Sequence, residues 1–301
     1  MNYYNEIKNE LINNEVYKRV KDYSKNKNEL STYYNVGKLL IEAQGGEDKA
    51  KYGNALIKEY SEKLTNEIGR GYTFSALSRM RQFYLLSEKI ATLSQQLTWS
   101  HYCELLVFDN VDEINYYIKQ TEIYNLSVRE LREKIKSKEY QRLDDNTKLK
   151  LINKEETVVS DFIKNPIVIR NKYNIDKESI TEKILQRLIL EDIPSFLKEL
   201  GEGFTFVENE YKIKIGNTYN YIDILLFNYI YNCFVVIELK VTELKKEHIG
   251  QIQIYMNYVD KNIKTINQDK TIGVIICKKD NGYYIEYSSD NRIFSKNYIL
   301  S

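Results

Sequence analysis

Residues 221–258 read YIDILLFNYIYNCFVVIELKVTELKKEHIGQIQIYMNY. Two apolar runs, 222–227 and 233–239, flank a polar turn at 228–232. Short runs rich in Ile, Val and Phe and bounded by turn residues read as buried strands, here joined as a hairpin. Side chains alternate across a strand. Glu238 and Lys240 therefore share a face with Phe234 and Val236, while Cys233, Val235, Ile237 and Leu239 take the other. Asp223 stands near the start of the first run.

An ionised carboxylate beside such a core is costly unless it is paired or holds a metal. Asp and Glu are hard oxygen ligands suited to Mg²⁺ or Mn²⁺. A lysine two residues from a ligand could orient an attacking water or stabilise charge developing on a phosphate. The same spacing also fits a hairpin edge, with Glu238 and Lys240 solvated and Asp223 a turn residue.

With Asp223 opening one strand and Glu238-Leu239-Lys240 closing the next, the stretch resembles the PD-(D/E)xK nuclease superfamily. Ile222 replaces the proline often written before the first acid. The resemblance implies further site residues. Glu182 fits the acid on the preceding helix and Gln251 the glutamine on the following one. It implies that Asp223, Glu238 and the Leu239 carbonyl hold a Mg²⁺ or Mn²⁺ ion and that Lys240 serves the reacting phosphate. Glu182 equally suits a helix N-terminus, and Gln251 a helix cap. Lys245 and Lys246, just beyond the site, are candidate phosphate contacts.

Working outward, the 301 residues favour two domains of ordinary size. Forty-four basic and 43 acidic side chains give a net charge of +1. Residues 1–143 carry 22 basic and 20 acidic groups, and the remainder 22 and 23. Any nucleic-acid contact must therefore come from a local patch. Three widely spaced cysteines and two histidines argue against a Cys/His zinc site. No apolar run has the length of a membrane span, and the polar start MNYYNEIKNE is no secretory signal. We expect a cytoplasmic protein without a membrane partner.

Residues 1–145 are expected to be all-helical, since no proline precedes Pro166 and apolar residues recur at helical spacing. The unit from Tyr52 to Lys89, helix–Gly69-Arg70-Gly71–helix, has the outline of a helix-turn-helix. By period its second helix buries Phe74, Leu77, Met80 and Tyr84. Ser75, Ser78, Arg79 and Gln82 then point outward, with Arg81 near the edge. Such side chains contact phosphates and base edges. A helical hairpin with a solvated polar face reads the same way. Trp99 and His101 are read as packing residues. Three segments, GYTFSALSRMRQFY, LTWSHYCELL and YNLSVRELREKI, resemble the N-terminal domain of the YhcG-type family. That bacterial family joins a helical domain, once only of unknown function, to a PD-(D/E)xK domain. The resemblance implies a nuclease with a DNA-binding N-terminal domain.

We place a linker at 146–170, where VVSDFI and IVI are candidates for a short helix or strand. Residues 171–301 form the second domain, a restriction-endonuclease-like mixed sheet flanked by helices. A helix over 179–200 is interrupted at Pro194, and strands are expected at 204–208, 211–215, 271–278 and 283–287. A helix is expected over 247–259, with His248 and Glu247 on the surface. The function expected is metal-dependent phosphodiester hydrolysis of nucleic acid, DNA in the first instance, by a chain that could act as a homodimer. The alternative is a silent or partner-dependent nucleic-acid-binding subunit of a restriction, defence or toxin–antitoxin system. Cation-dependent cleavage by the isolated protein separates the two.

Overall fold

The computed structural model describes residues 3–19, 25–46, 54–90, 93–94, 96–279 and 282–301. The chain divides into two units, Met1–Tyr140 and Gln141–Ser301.

The first unit is helical: α1 (Tyr3–Arg19), α2 (Lys25–Ala43), α3 (Asn54–Ile68), α4 (Phe74–Ser87), α5 (Trp99–Leu105), α6 (Val111–Tyr124) and α7 (Val128–Lys136). Tyr52, the expected start of α3, lies outside the described residues. Thr73 caps α4 by accepting from the Ala76 N–H at 3.2 Å. Ser127 and Glu130 form the capping box that starts α7. Gly37 of α2 lies against α4, where an added Cβ would stand 2.2 Å from the Met80 carbonyl oxygen. Only a glycine lets the two backbones approach this closely. The inward stripe of α4 is Leu77, Met80, Phe83 and Leu86. Phe74, expected inside, is 41% exposed, because it opens the helix one turn before the buried contacts begin. Tyr84 is half-buried against Tyr34, with ring centroids 5.2 Å apart.

Trp99 packs on Tyr33 and Phe83 at 4.5 and 5.4 Å. His101 is buried, with Nδ1 accepting from the Thr98 N–H and Nε2 3.0 Å from the Leu126 carbonyl. Both are packing residues.

The second unit opens with α8 (Asp145–Asn153) and a short 3-10 turn, Val159–Phe162. Its six-stranded sheet has the order β1-β6-β5-β4-β3-β2. The strands are β1 (Ile167–Ile169), β2 (Phe204–Ile215), β3 (Thr218–Asn228), β4 (Cys233–Glu243), β5 (Asp269–Lys279) and β6 (Ile293–Leu300). β2, β3 and β4 are antiparallel neighbours, whereas β4, β5, β6 and β1 run parallel. Helices α9 (Glu182–Leu190) and α10 (Ile193–Leu200) precede β2, and α11 (Lys246–Asn262) joins β4 to β5. Pro194 sits at the start of α10, where its missing N–H costs nothing.

The sheet has two apolar faces. Leu185, Leu188, Ile189 and Phe196 of α9 and α10 pack with Ile224, Leu226, Val235, Ile237 and Leu239. Ile252, Tyr255, Met256 and Val259 of α11 pack with Ile222, Leu225, Val236 and Ile275. Alternation along β4 therefore runs as its sequence implies.

Three expectations change. Residues 204–215 form one continuous strand, not two, with a register shift between Phe206 and Glu208. Residues 283–287 are not a strand: Gly282–Glu286 is helical (α12), and the next strand is β6. In the segment 146–170 VVSDFI and IVI do supply a short helix and a strand, the 3-10 turn and β1, whereas α8 departs from the expected linker. The anchors of the segment are the Arg142–Glu199 ion pair and the Val168 N–H, which donates to Glu199 at 2.9 Å.

Candidate active site

The site lies where the sheet opens. β3 and β4 are paired from Asn228↔Cys233 to Ile224↔Ile237 and then separate. The next residues on the two strands are Asp223 and Glu238. Beyond the last pair, the Leu239 N–H has lost its strand partner. It donates to Asp223 Oδ2 at 2.8 Å instead. On a strand, the N–H and C=O of one residue face the same neighbour, so the Leu239 carbonyl also faces Asp223. From α9, Gln186 Nε2 donates to the Asp223 carbonyl at 2.9 Å. Asp223 is thus gripped at its side chain and its backbone.

Glu238 is 2% exposed and Lys240 8%. Lys240 Nζ donates to Glu238 Oε1 at 2.8 Å and lies 3.6 Å from Glu182 Oε2. Glu182, in the first turn of α9, is half-exposed at the mouth of the site. The other oxygen, Glu238 Oε2, is buried without a hydrogen-bond partner.

Electrostatics follow from this packing. Burial pushes the Glu238 carboxyl up to about 7, and nearby Asp223 pushes the same way, against the pull of Lys240. Burial likewise raises Asp223, opposed by the Leu239 N–H and Lys240. Burial alone would lower Lys240, but Glu238, Glu182 and Asp223 together hold its ammonium above the ordinary lysine value. Three carboxylates thus surround one cation. Fully ionised, the cluster carries two negative charges in excess, which a divalent cation would balance.

That donor set fits a hard cation. Among the described residues no three His, Cys, Asp or Glu side chains form a cage by themselves. Mg²⁺ does not need one, because it keeps several waters and takes one or two carboxylates plus substrate phosphates. Asp223 and Glu238, with the Leu239 carbonyl, have the oxygen donors such a half-shell would need.

The other sequence candidates lie farther out. Gln251 Nε2 donates to the Tyr255 hydroxyl at 3.0 Å, and it is Glu238 that Lys240 pairs with. Tyr255 is buried, and burial, with Glu238 and Asp223 adding, raises its phenol. Lys245 and Lys246 are exposed at the start of α11, Lys245 Nζ standing 3.8 Å from Glu247. His248, expected on the surface, is 8% exposed. Its Nδ1 accepts from the Lys245 N–H at 3.2 Å, which folds the ring back onto the helix start. Burial and the neighbouring Lys240 charge lower its pKa, so the ring is neutral. Nothing local in the sequence marks Gln186, Tyr255 or His248 as a neighbour of the site. In the first unit, Arg79 and Gln82 are exposed on α4. Arg81 is half-buried, its Nη1 3.4 Å from Gln44 Oε1.

Comparison with known proteins gives the same division. Residues 9–142 match the DUF1016 N-terminal domain and residues 160–300 the YhcG PDDEXK nuclease domain. The Escherichia coli (strain K12) protein YhcG, provisionally named a nuclease, is 27% identical over 286 residues, spanning 82% of this chain and 76% of that protein. A repair endonuclease from Pyrococcus abyssi aligns with 40% of this chain and 47% of its own, at 16% identity and a TM-score of 0.29. The EndoMS-dsDNA2 complex aligns with 41% and 48%, at 19% identity and a TM-score of 0.30. Each of these two alignments spans about half of the solved chain.

Proposed function

Because the chain belongs to the family that joins a DUF1016 N-terminal domain to a YhcG PDDEXK nuclease domain, we propose that it hydrolyses phosphodiester bonds of nucleic acid, DNA in the first instance, and needs a divalent cation. One observation carries this reading. Glu238 Oε2 is buried and unpartnered beside Asp223, in a cluster with more carboxylates than cations. Such an oxygen is costly to maintain for folding alone.

Asp223, Glu238 and the Leu239 carbonyl would hold Mg²⁺ or Mn²⁺. When bound, the ion supplies charge neutralisation at the scissile phosphate and a more acidic water. The chain's own residues do the rest. The Leu239 N–H and Gln186 fix Asp223 before substrate arrives, so little reorganisation is needed during reaction. Lys240 stays protonated, which makes it a donor to developing phosphate charge and not a base. Glu182 holds that ammonium from the open side. Lys245 and Lys246, exposed at the start of α11, would follow the phosphates of the strand, and Gln251 would orient Tyr255 through its hydrogen bond. Nucleases that cut both strands of a duplex are commonly dimers, and a homodimer would give this chain two such sites.

The test is incubation of plasmid and branched DNA with the protein in Mg²⁺, Mn²⁺ or EDTA. Cleavage is expected with either cation and none with EDTA. Asp223→Ala should fold, bind no cation at this site and leave the DNA intact. Cutting by Asp223→Ala at the rate of the parent would overturn the assignment.

A further inference from the structure

β2 and β3 continue past the sheet as a two-stranded ribbon. β3 pairs with β4 only over Ile224–Asn228, but its ladder with β2 runs on. The added pairs are Tyr211↔Ile222, Lys212↔Tyr221, Ile213↔Asn220, Lys214↔Tyr219 and Ile215↔Thr218. Asp223 stands at the base of this ribbon, on one of its two strands.

Opposed residues of an antiparallel pair share a face, and so do alternate residues along a strand. Lys212, Lys214, Tyr219 and Tyr221 therefore lie on one face. Ile213 and Ile222 lie on the other and are 1% and 0% exposed, with Tyr211 and Ile215 packed against the same core. The first face is uncovered. Both lysines are exposed, and Tyr219 and Tyr221 are 55% and 52% exposed. Lys212 Nζ stands 4.0 Å from the centre of the Tyr219 ring and Lys214 Nζ 5.9 Å. Among the described residues the contacts of the two lysines are with the Tyr219 ring and not with a carboxylate. Residues 211–221, YKIKIGNTYNY, contain no acid, and the nearest on β2 is Glu210, on the Asp223 side of the lysines.

Lysines on β2 also serve to blunt an edge strand. In a two-stranded ribbon β3 also has one open edge, but edges are blunted by charge or proline and not by aromatic rings, so edge protection does not account for the tyrosines. Same-face residues on a strand are roughly 7 Å apart. The two rings thus form a stepped platform, with the Lys212 ammonium over one face of the Tyr219 ring and available to a phosphate when a base takes its place. Flat aromatic faces and cations match the bases and phosphates of an unstacked strand, and base–aromatic stacking is the usual basis of single-strand binding. A paired duplex hides its base faces and offers the tyrosines nothing comparable.

We infer that Lys212, Lys214, Tyr219 and Tyr221 bind single-stranded nucleic acid, or the unpaired arm of a branched one, and lead it toward Asp223. This rests on the nuclease reading for its direction and chemistry, but the binding is tested apart from cleavage. Fluorescence anisotropy of the full chain in EDTA would compare labelled oligothymidine with a blunt duplex of equal length. Tyr219→Ala with Tyr221→Ala should lose about tenfold or more in single-strand affinity, with duplex affinity and salt slope unchanged. Tyr219→Phe with Tyr221→Phe should bind like the parent, because the rings remain. Lys212→Gln with Lys214→Gln should reduce the salt slope by about 0.7 per lysine. Parent-like single-strand binding by the Tyr→Ala pair, or an equal loss on duplex, would overturn the inference. Ribbon-dependent binding without any Mg²⁺-dependent cutting would sink the nuclease reading and leave this one standing. Cutting and single-strand binding that are both indifferent to the ribbon would do the reverse.

Discussion

In the proposed site Glu238 is the side chain on which burial, neighbouring charge and an unpartnered oxygen converge. Its carboxyl, pushed up to about 7 by burial, is protonated in the folded, cation-free protein at mildly acidic pH and ionised in the unfolded chain. A folded-state value above the unfolded one gives stability that is full below the ordinary glutamate range and is lost as pH rises to about 7. The loss is on the order of 3 kcal/mol, reduced by whatever water relaxes around the site. Thermal unfolding in EDTA should therefore show a falling Tm from about pH 5 to about pH 7.5. Glu238→Gln should flatten that fall and be the more stable protein at neutral pH. Mg²⁺ should raise the Tm of the parent more at pH 8 than at pH 5.5, because protons compete for the same oxygen, by about the amount linkage allows. A parent profile as flat as that of Glu238→Gln would mean that Oε2 is solvated.

Lys240 invites a kinetic test at the same scale. Lys240→Ala should slow cleavage by at least ~10²-fold, the usual cost of one electrostatic stabiliser. It also removes the charge that draws Glu238 down, so the acidic limb of the pH–rate profile should move to higher pH. Loss of cation binding at high pH as well would recast Lys240 as structural support.

At the scale of elements, the sequence spoke clearly wherever a strand was buried on both faces. β3, β4 and β5 were legible as apolar runs, and alternation placed Glu238 with Lys240. β6 was not, because IFSKNYIL mixes polar and apolar residues without a clean period. The aromatic segment at 283–287 looked more strand-like. Topology decided against it: β5 and β6 run parallel, so the chain between them must cross over, and that stretch is spent on the crossing. The contacts of Gln186 and Tyr255 were hidden for another reason. Each joins residues whose partners are set by the fold and not by spacing. Gly37 and Gly273 show how tightly the elements are seated. A Cβ on Gly273 would meet the Met256 sulfur at 2.6 Å, the end of a flexible side chain. A Cβ on Gly37 would meet backbone at 2.2 Å. Overpacking costs about 1–3 kcal/mol. Gly273→Ala should fall near the lower end, and Gly37→Ala at or above the upper end, in urea unfolding followed by circular dichroism. Equal costs would mean that α2 and α4 slide apart freely.

Across the whole molecule the net charge is +1, so no global field draws in a polyanion. Any binding of nucleic acid must come from patches, and each unit has its own candidates. In the second unit the lysines beside the site and on the ribbon lie close in sequence to Asp223 and Glu238. In the first, α4 presents Arg79 and Gln82 to solvent but turns Arg81 inward toward Gln44. Burial depresses the Arg81 guanidinium, and its half-buried stem and Gln44 contact are what truncation would remove. The two arginines should therefore behave differently. Arg79→Ala should weaken DNA binding and make its salt dependence shallower by about one unit, the loss of a single phosphate contact. Arg81→Ala should lower the thermal stability of the helical unit and leave the salt slope near that of the parent. Cleavage by Arg79→Ala should persist at low salt and high protein concentration, because Asp223, Glu238 and Lys240 are untouched. Anisotropy titrations over a range of salt, run beside a cleavage assay, read both effects. A parent-like slope for Arg79→Ala would assign α4 to a protein partner or a second copy of the chain, with nucleic acid held by the second unit alone.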